Sequence, residues 1–327
     1  MSFSEEIADV AAPIILDSPT DNDRRHCTSS LVFKRITPDN IEDVWRLSQT
    51  EEGRTCDFSY GGILMWADIF EYEYAIADDT LFIKGRSEDD MQSVAFSLPV
   101  GSLPLKESIS RLRRWCLEHD MPLKLSAVPE YAINELIRMR PKKIEELDGW
   151  ADYLYDLSRL ATLSGKKMAK KRNHVNQFVN AFGSGCYERI TPGNIADVEL
   201  FMEWLETTPA PSPSAAMERR LAMEVIRSSE RCRTHYLGGL LRVEGKVIAF
   251  TIGDIKGDTL FIHIEKADRD VPGSYEMINK AFAEDMLARF PHLRYVNRED
   301  DSGDEGLRKA KMSYHPDELL RKFSVEF

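Results

Sequence analysis

What the chain lacks narrows its class first. No apolar run approaches the roughly 18 to 20 residues that a membrane-spanning helix needs, so membrane insertion is not expected. The N-terminus, MSFSEEIADV, carries Glu5 and Glu6 where a secretory signal would be basic, and the expectation is a cytoplasmic protein. Cysteine is scarce. Cys27, Cys56, Cys116, Cys186 and Cys232 are scattered without any CxxC spacing, which argues against a disulfide framework and against a zinc site. No metal is expected, and the thiols should be free, in or near the core. A basic excess is missing as well: the formal charge of −12 would repel a polyanion and argues against DNA as a partner. What remains, 43% hydrophobic and 30% charged residues in a chain of 327, describes an ordinary globular protein of about two domains.

One window departs from the acidic average. Between Asp156 and Glu188 there is no acidic residue, while Arg159, Lys166, Lys167, Lys170, Lys171 and Arg172 all fall inside it. Charge patterning makes this the place where a polyanion could touch the chain.

The chain also repeats itself. ITPDNIEDV (36–44) returns as ITPGNIADV (190–198) with two changes. Each copy follows a short strand, passes through Thr-Pro as a helix-entry signal, and opens an amphipathic helix. Ile41, Val44, Trp45 and Leu47 in the first copy, and Ile195, Val198, Phe201, Met202 and Leu205 in the second, recur at helical spacing. A second echo sets DDTLFIKGR at Asp78 against GDTLFIHIE at Gly257. Two landmarks in one order imply a duplicated domain. The expected organisation is an N-terminal arm over 1–30, a first domain over 31–150 that is structural, and a second over 151–327 that carries the chemistry. In the second half, the strands HYLGGLLRV, KVIAFTIGD and DTLFIHIEKA are joined by tight turns at Glu244-Gly245 and at 256–258. A helix from Tyr275 to about Arg289 and the strand LRYVNRE follow. The fold class is α+β, a mixed and mostly antiparallel sheet flanked by helices in each half.

Three stretches carry candidate chemistry. In TLFIHIEKA, alternation places Leu260, Ile262 and Ile264 on one face and Phe261, His263 and Glu265 on the other. A carboxylate there can accept a proton from an attacking amine, or it can be a structural partner of Lys266 or Arg298. His263 reads as a satisfied sheet histidine. The second stretch, RYVNREDDSGDEGLRKAKMSYHP (294–316), is a dense carboxylate and basic segment at a strand end, suited to fixing a substrate's amine and phosphate together. The third, SGKKMAKKRNHVNQF (164–178), reads as a helix with Met168, Val175, Val179 and Phe182 on a narrow apolar stripe. Lys171 and Arg172 flank that stripe, within about 60° of it, while Lys166, Lys170 and Asn173 point away.

The antiparallel meander, polar strand end and helix entered through Pro272-Gly273-Ser274 resemble the order of GNAT-type acyltransferases, where a helix N-terminus holds an acyl carrier's pyrophosphate. Here the loop offers only Gly273, beside Asp268 and Asp270. GKKMAKKRNHVNQF, HIEKAD, GSYEMIN and NREDDSGDEGLRKAKMSYHP resemble more specifically the family grouped with the C-terminal domain of phosphatidylglycerol lysyltransferases, relatives of the Fem-type aminoacyltransferases. The resemblance implies two tandem GNAT-like domains and transfer of an acyl or aminoacyl group to an amine or hydroxyl of a small-molecule or peptide acceptor. The donor would be aminoacyl-tRNA or acyl-CoA, with no tightly bound cofactor. The long membrane portion of the lysyltransferases is lacking, so a lipid acceptor is not carried over.

The residues assigned by this reading fall into three groups. Glu265, Lys266 and Tyr275 are the candidate catalytic set. Lys167, Lys171, Arg172, Asn173, Gly273 and Ser274 would hold the donor. Asn297, Arg298, Glu299, Asp300, Arg308, Lys309, Lys311 and Tyr314 would hold the acceptor. The first copy has KGRSED where the second has HIEKAD, and no matching loop. The rival readings are a ligand-sensing protein on an acyltransferase scaffold and an RNA-binding accessory.

Overall fold

Identical hydrogen bonds tie down both copies of the ITP-x-NI phrase. In the computed structural model, which describes residues 31–87, 90–207, 213–228 and 235–327, Asn40 Oδ1 accepts from Thr37 N at 2.9 Å and its Nδ2 donates to Arg35 O at 2.9 Å. Asn194 does the same with Thr191 N (2.7 Å) and Arg189 O (2.9 Å). The backbone angles of the two asparagines agree within a degree, φ −128° and ψ 3° against φ −129° and ψ 4°. Each asparagine thus staples a strand end to the start of the helix that follows it. Val44, Trp45, Val198, Phe201 and Met202 are buried as the periodicity requires. The arm expected over 1–30, with Cys27, lies outside the described residues, as does Cys232; Cys56 and Cys116 are buried free thiols and Cys186 is a half-buried one.

The first half runs β1 (Lys34–Arg35), α1 (Ile41–Ser48), α2 (Tyr60–Trp66), β2 (Glu73–Ala77), β3 (Thr80–Arg86), β4 (Val94–Phe96), β5 (Val100–Gly101), α3 (Leu105–Glu118), β6 (Lys124–Pro129), α4 (Glu130–Ile137) and β7 (Lys143–Glu146). Then come β8 (Asp152–Asp156), α5 (Leu157–Thr162), α6 (Ala169–Phe182), β9 (Tyr187–Arg189), α7 (Ile195–Glu206), α8 (Pro213–Ser228), β10 (Leu237–Val243), β11 (Lys246–Lys256) and β12 (Thr259–Ala267). The chain closes with α9 (Ser274–Arg289), β13 (Tyr295–Asn297), α10 (Glu305–Met312), β14 (Glu318–Leu320) and β15 (Lys322–Glu326). Turn chemistry agrees with the sequence: Glu244 and Gly245 both have positive φ, which suits the two-residue connection between β10 and β11.

Two mixed sheets result, ordered β1-β2-β3-β4-β6-β15-β7 and β9-β10-β11-β12-β13-β8-β14, with β5 added to β3. Position by position they match. The parallel pair comes at the same point in both, β4 with β6 and β12 with β13, after an antiparallel meander and a helix. The GNAT-like order is therefore present twice. One exchange joins the halves: β8, which follows the first half's β7, lies between β13 and β14, and β15, which follows β14, lies between β6 and β7. β8 and β15 thus take matching places, each following a strand of one sheet and pairing within the other.

The second sequence echo does not survive this comparison. DTLFIKGR forms β3, whose position matches β11, whereas DTLFIHIE forms β12, whose counterpart is the three-residue β4. KGRSED is therefore not the equivalent of HIEKAD. Shared β-propensity in Leu-Phe-Ile explains the likeness. Among the described residues, no helix is long and apolar enough to cross a membrane.

Candidate active site

Strand β12 carries the site, and it is not regular. Ile252 of β11 pairs with Ile264, but the next residue, Gly253, pairs with Ile262. His263 is thus the extra residue of a β-bulge. Gly253 permits it, since a Cβ there would overlap the carbonyl oxygen of Phe261. Past the bulge every side chain changes face. Leu260 and Ile262 lie in the core with α5, α6 and α9, while Ile264 joins the core with α7 and α8. Glu265 is carried to the α9 side, onto the face of Leu260 and Ile262. The expected alternation, with Glu265 beside Phe261 and His263, is corrected accordingly. Lys266, one residue on, lies on the opposite face of β12.

Glu265 finds its partners elsewhere. Its carboxylate receives Arg298 Nη2 at 2.8 Å and Asn279 Nδ2 at 3.1 Å. The Arg298 guanidinium lies 4.9 Å from the ring centre of Tyr314 and 5.9 Å from that of Tyr155. A second cation meets the same ring, for Lys171 Nζ is 4.0 Å from the centre of Tyr314 and 3.2 Å from the Glu276 carboxylate, with His174 Nδ1 at 3.0 Å from it. Two ion pairs therefore flank one tyrosine. Burial drives the electrostatics: it pulls the Lys171 ammonium below its ordinary value and pushes the Tyr314 and Tyr275 phenols up. Burial would also raise Glu276, but His174 and Lys171 outweigh it and hold that carboxyl low. For Arg298 burial acts downward, and Glu265 with the neighbouring tyrosines reverses it.

At the start of α9, a cavity of about 340 Å³ is lined by His174, Gln177, Arg269 and residues 271–276. Gly273 has φ +81°, and a Cβ on it would overlap the carbonyl oxygen of His174, so α6 presses directly on this helix end. Ser274 spends its hydroxyl on Asp268 O at 2.8 Å. Tyr275 is half-buried on the cavity wall.

The sequence-assigned residues thus divide. Glu265, Arg298, Lys171 and Tyr314 come together, with Tyr275, Gly273 and Ser274 beside them. Arg172 does not reach this group. It donates to the carbonyls of Leu163 and Gly165, at 2.7 Å for the latter, and fastens the turn before α6. Lys167 and Asn173 are exposed. In the predicted apolar stripe, Phe182 is 39% exposed and Phe178 is fully buried in its place. Asn297 donates to Arg54 O of the first half, Glu299 is spent on His263 of β12, Arg308 is fixed by Asp301 at 2.9 Å, Lys311 donates to Asp300 O, and Lys309 is 81% exposed beside Glu305. Asn279 and Tyr155 were missed. Asn279 had a signal, as a polar residue in the apolar row of Met277, Ile278, Ala281 and Phe282. Tyr155 had none, because it arrives on the exchanged strand β8.

Between the halves lies a separate buried network. Lys322 Nζ is 2.9 Å from Asp152 and 2.9 Å from Asp57, and Asn297 Nδ2 donates to Asp152 at 2.8 Å and to Arg54 O at 2.6 Å. Cys56, Asp152 and Asp300 offer donor atoms within 4.8 Å of one another, as a metal site would, but the Lys322 ammonium stands among them. His263 is held by Asp254 at 2.9 Å and Glu299 at 2.7 Å. Glu299 is thereby an interior counterion.

A duplicated mixed fold with a largely buried cluster of ion pairs on the second sheet defines the class. The chain belongs to the family described as phosphatidylglycerol lysyltransferase, C-terminal, which matches residues 49–326. It is 32% identical to a conserved Bacteroides thetaiotaomicron protein of unknown function, over 91% of this chain and 99% of that one, with a TM-score of 0.82. A domain assigned to the C-terminal part of a lysylphosphatidylglycerol synthetase of Agrobacterium fabrum shares the fold at 13% identity and a TM-score of 0.61, covering 88% of this chain and 92% of that one. An uncharacterised Mycoplasmoides gallisepticum protein is 25% identical over 178 residues, 54% of this chain; the match spans 56% of that relative's length.

Proposed function

We propose that the chain is an acyl- or aminoacyltransferase whose reacting centre is the Glu265 pocket of the second half, with the first half as its scaffold. The observation that carries this reading is the placement of one carboxylate, by a bulge, against Arg298 and Asn279, with Arg298 itself lying over two tyrosines. A carboxylate has about four lone-pair sites, and Arg298 and Asn279 use two of them. The others are open to an acceptor's amine or hydroxyl proton. In the reaction, the acceptor's lone pair forms a bond to the donor's carbonyl carbon and the bond from that carbon to the carrier breaks. The acceptor's proton passes to Glu265 and then to the departing carrier atom. The guanidinium of Arg298 offers a hydrogen bond to the oxyanion. Lys171, paired with Glu276, forms the wall toward the donor.

The charge at the start of α9 favours one donor class over the other. Gly273 abuts α6, and Glu276 already lies in the first turn of α9 where an acyl carrier's phosphates would bind. This supports an aminoacyl ester over acyl-CoA. It also supports the second reading, a ligand-binding protein without turnover. The experiment is transfer to hydroxylamine from charged tRNA and from acyl-CoA, with wild type and Glu265→Gln. Turnover that falls about 10²- to 10⁴-fold in the variant, with donor binding kept, supports the enzyme reading. Equal turnover in the variant, or none from either donor with the wild type, removes it.

A further inference from the structure

Arg298 reaches Glu265 from a strained turn. The next residue, Glu299, has φ +55°, in the left-handed region that a residue with a Cβ keeps only when its surroundings hold it there. Three contacts do so. The Glu299 N–H donates to Asn297 Oδ1 at 2.6 Å, its carbonyl accepts from Tyr153 N at 3.2 Å, and its carboxylate accepts from His263 Nδ1 at 2.7 Å. The third contact reaches β12 at the bulge, on the same short stretch as Glu265. Two pairs thus cross side by side from β12 to the end of β13, His263 with Glu299 and Glu265 with Arg298.

His263 is itself seated by the first half. Its Nε2 donates to Asp254 at 2.9 Å, and Asp254 also accepts from the N–H of Gly61 in α2. Both ring nitrogens face carboxylates, and both donate. A Cβ on Gly61 would overlap the imidazole, so the α2 backbone lies directly against a ring that is wholly buried. We infer that His263 is a positioning residue, which through Glu299 holds the turn that aims Arg298 at Glu265. The inference rests on the reading of Glu265 and Arg298 as the reacting centre. It gives the first half a part in the chemistry beyond that of a scaffold. Arg298 is assigned to the oxyanion, so relaxation of the turn lowers kcat and leaves the donor's KM in place.

Two pairs of variants test this in transfer to hydroxylamine from charged tRNA. In His263→Asn the amide nitrogen stands near the place of Nδ1 and still reaches Glu299, whereas in His263→Gln it stands near that of Nε2 and reaches Asp254 instead. The glutamine variant should lose about 10²-fold in kcat at unchanged KM, and the asparagine variant less than about tenfold. Glu299→Ala removes the tether and leaves the strain, so it should lose as much as His263→Gln. Glu299→Gly also removes the tether but adopts positive φ freely, and should recover about tenfold of that loss. A glutamate that served only to balance the imidazolium would make alanine and glycine equivalent. The guanidinium nitrogen NMR signal of Arg298, identified by its absence from Arg298→Lys, makes the same comparison without turnover: it should move in the alanine variant and return in the glycine variant. Should the His263 variants fail to fold, the Glu299 pair decides. Equal kcat in Glu299→Ala and Glu299→Gly, an unmoved Arg298 signal in the alanine variant, or equal losses in the two His263 variants overturns the inference. The two readings fail separately. An Arg298 signal that moves and returns as expected, with no transfer by the wild type, sinks only the reacting centre, whereas transfer lost in Glu265→Gln but intact in Glu299→Ala sinks only the role of His263.

Discussion

The main chain of Gly253 lies so close to Phe261 that any Cβ at 253 would overlap the Phe261 carbonyl oxygen. This contact sits opposite the His263 bulge and so decides which face of β12 carries Glu265. Gly253→Ala forces backbone to move and should cost about 1–3 kcal/mol in urea unfolding. Transfer activity should fall further than stability alone explains, since Glu265 loses its alignment with Arg298. An alanine variant with unchanged unfolding and turnover would show that the bulge does not depend on this glycine.

Arg298 and Glu265 form a buried pair, with side chains 13% and 9% exposed. Arg298→Met strands the carboxylate and should destabilise the fold by about 3–5 kcal/mol. Removing both charges with Glu265→Leu and Arg298→Met should cost less than the sum of the single changes. A double-mutant cycle in denaturant measures this directly. Simple additivity would mean that the two groups do not interact in solution.

His263 gives a stability signature in alkali. Burial alone would lower its pKa, but Asp254 and Glu299 overcome that and raise it from 6.5 to about 10. The folded chain keeps a proton that the unfolded chain releases above about pH 6.5. The stabilisation is complete below that pH and is lost as pH rises through about 10. Between these limits the slope approaches about −1.4 kcal/mol per pH unit. The difference in unfolding free energy between wild type and His263→Gln, followed from pH 6 to 10.5, should shrink over this window. A constant difference would place a neutral imidazole between the two carboxylates.

Much of this was legible from residue patterns. The ITP-x-NI phrase identified equivalent strand-helix junctions because Asn40 and Asn194 act locally, within five residues. Glu265, Arg298, Lys171 and Tyr314 were identified by type and by their place at strand and helix ends. The rest depends on tertiary structure. A bulge leaves no mark in a run such as TLFIHIEKA, where both faces are apolar enough to be buried, so the side of the sheet that Glu265 occupies could not be read. Exchange of β8 and β15 is invisible to periodicity, and with it the arrival of Tyr155 in the pocket. Arg172 was misread because a basic residue that caps carbonyls of a preceding turn has the same spacing as one that meets a ligand.

Lys322 holds the strand exchange from inside. Its side chain is 1% exposed, it is the first residue of β15, and it meets Asp152 of β8 and Asp57. One lysine therefore joins the two donated strands. Lys322→Met leaves two carboxylates buried without a cation and should destabilise the whole fold by about 3–5 kcal/mol. Adding Asp152→Asn should restore part of that loss. Hydrogen exchange should show protection falling in β6, β7 and β8 together; a loss confined to β15 would mean that the exchanged strands are not coupled through this lysine.

The exposed lysines of α6 and its lead-in test the donor. Lys166, Lys167 and Lys170 are exposed, while Lys171 turns inward onto Tyr314 and Glu276. An RNA carrier would meet the outward three as phosphate contacts, each contributing a slope of about −0.7 to −0.9 in log affinity against log salt. Reversing all three to glutamate should weaken binding of charged tRNA and make its salt dependence shallower by about 2 to 3. Turnover at saturating donor should change little, because none of the three touches the Glu265 pocket. The molecule's overall charge of −12 sharpens the comparison, since it opposes RNA everywhere except at such a local patch. An unchanged salt slope would remove α6 as the donor's docking face and leave the Glu265 pocket to be tested with small donors alone.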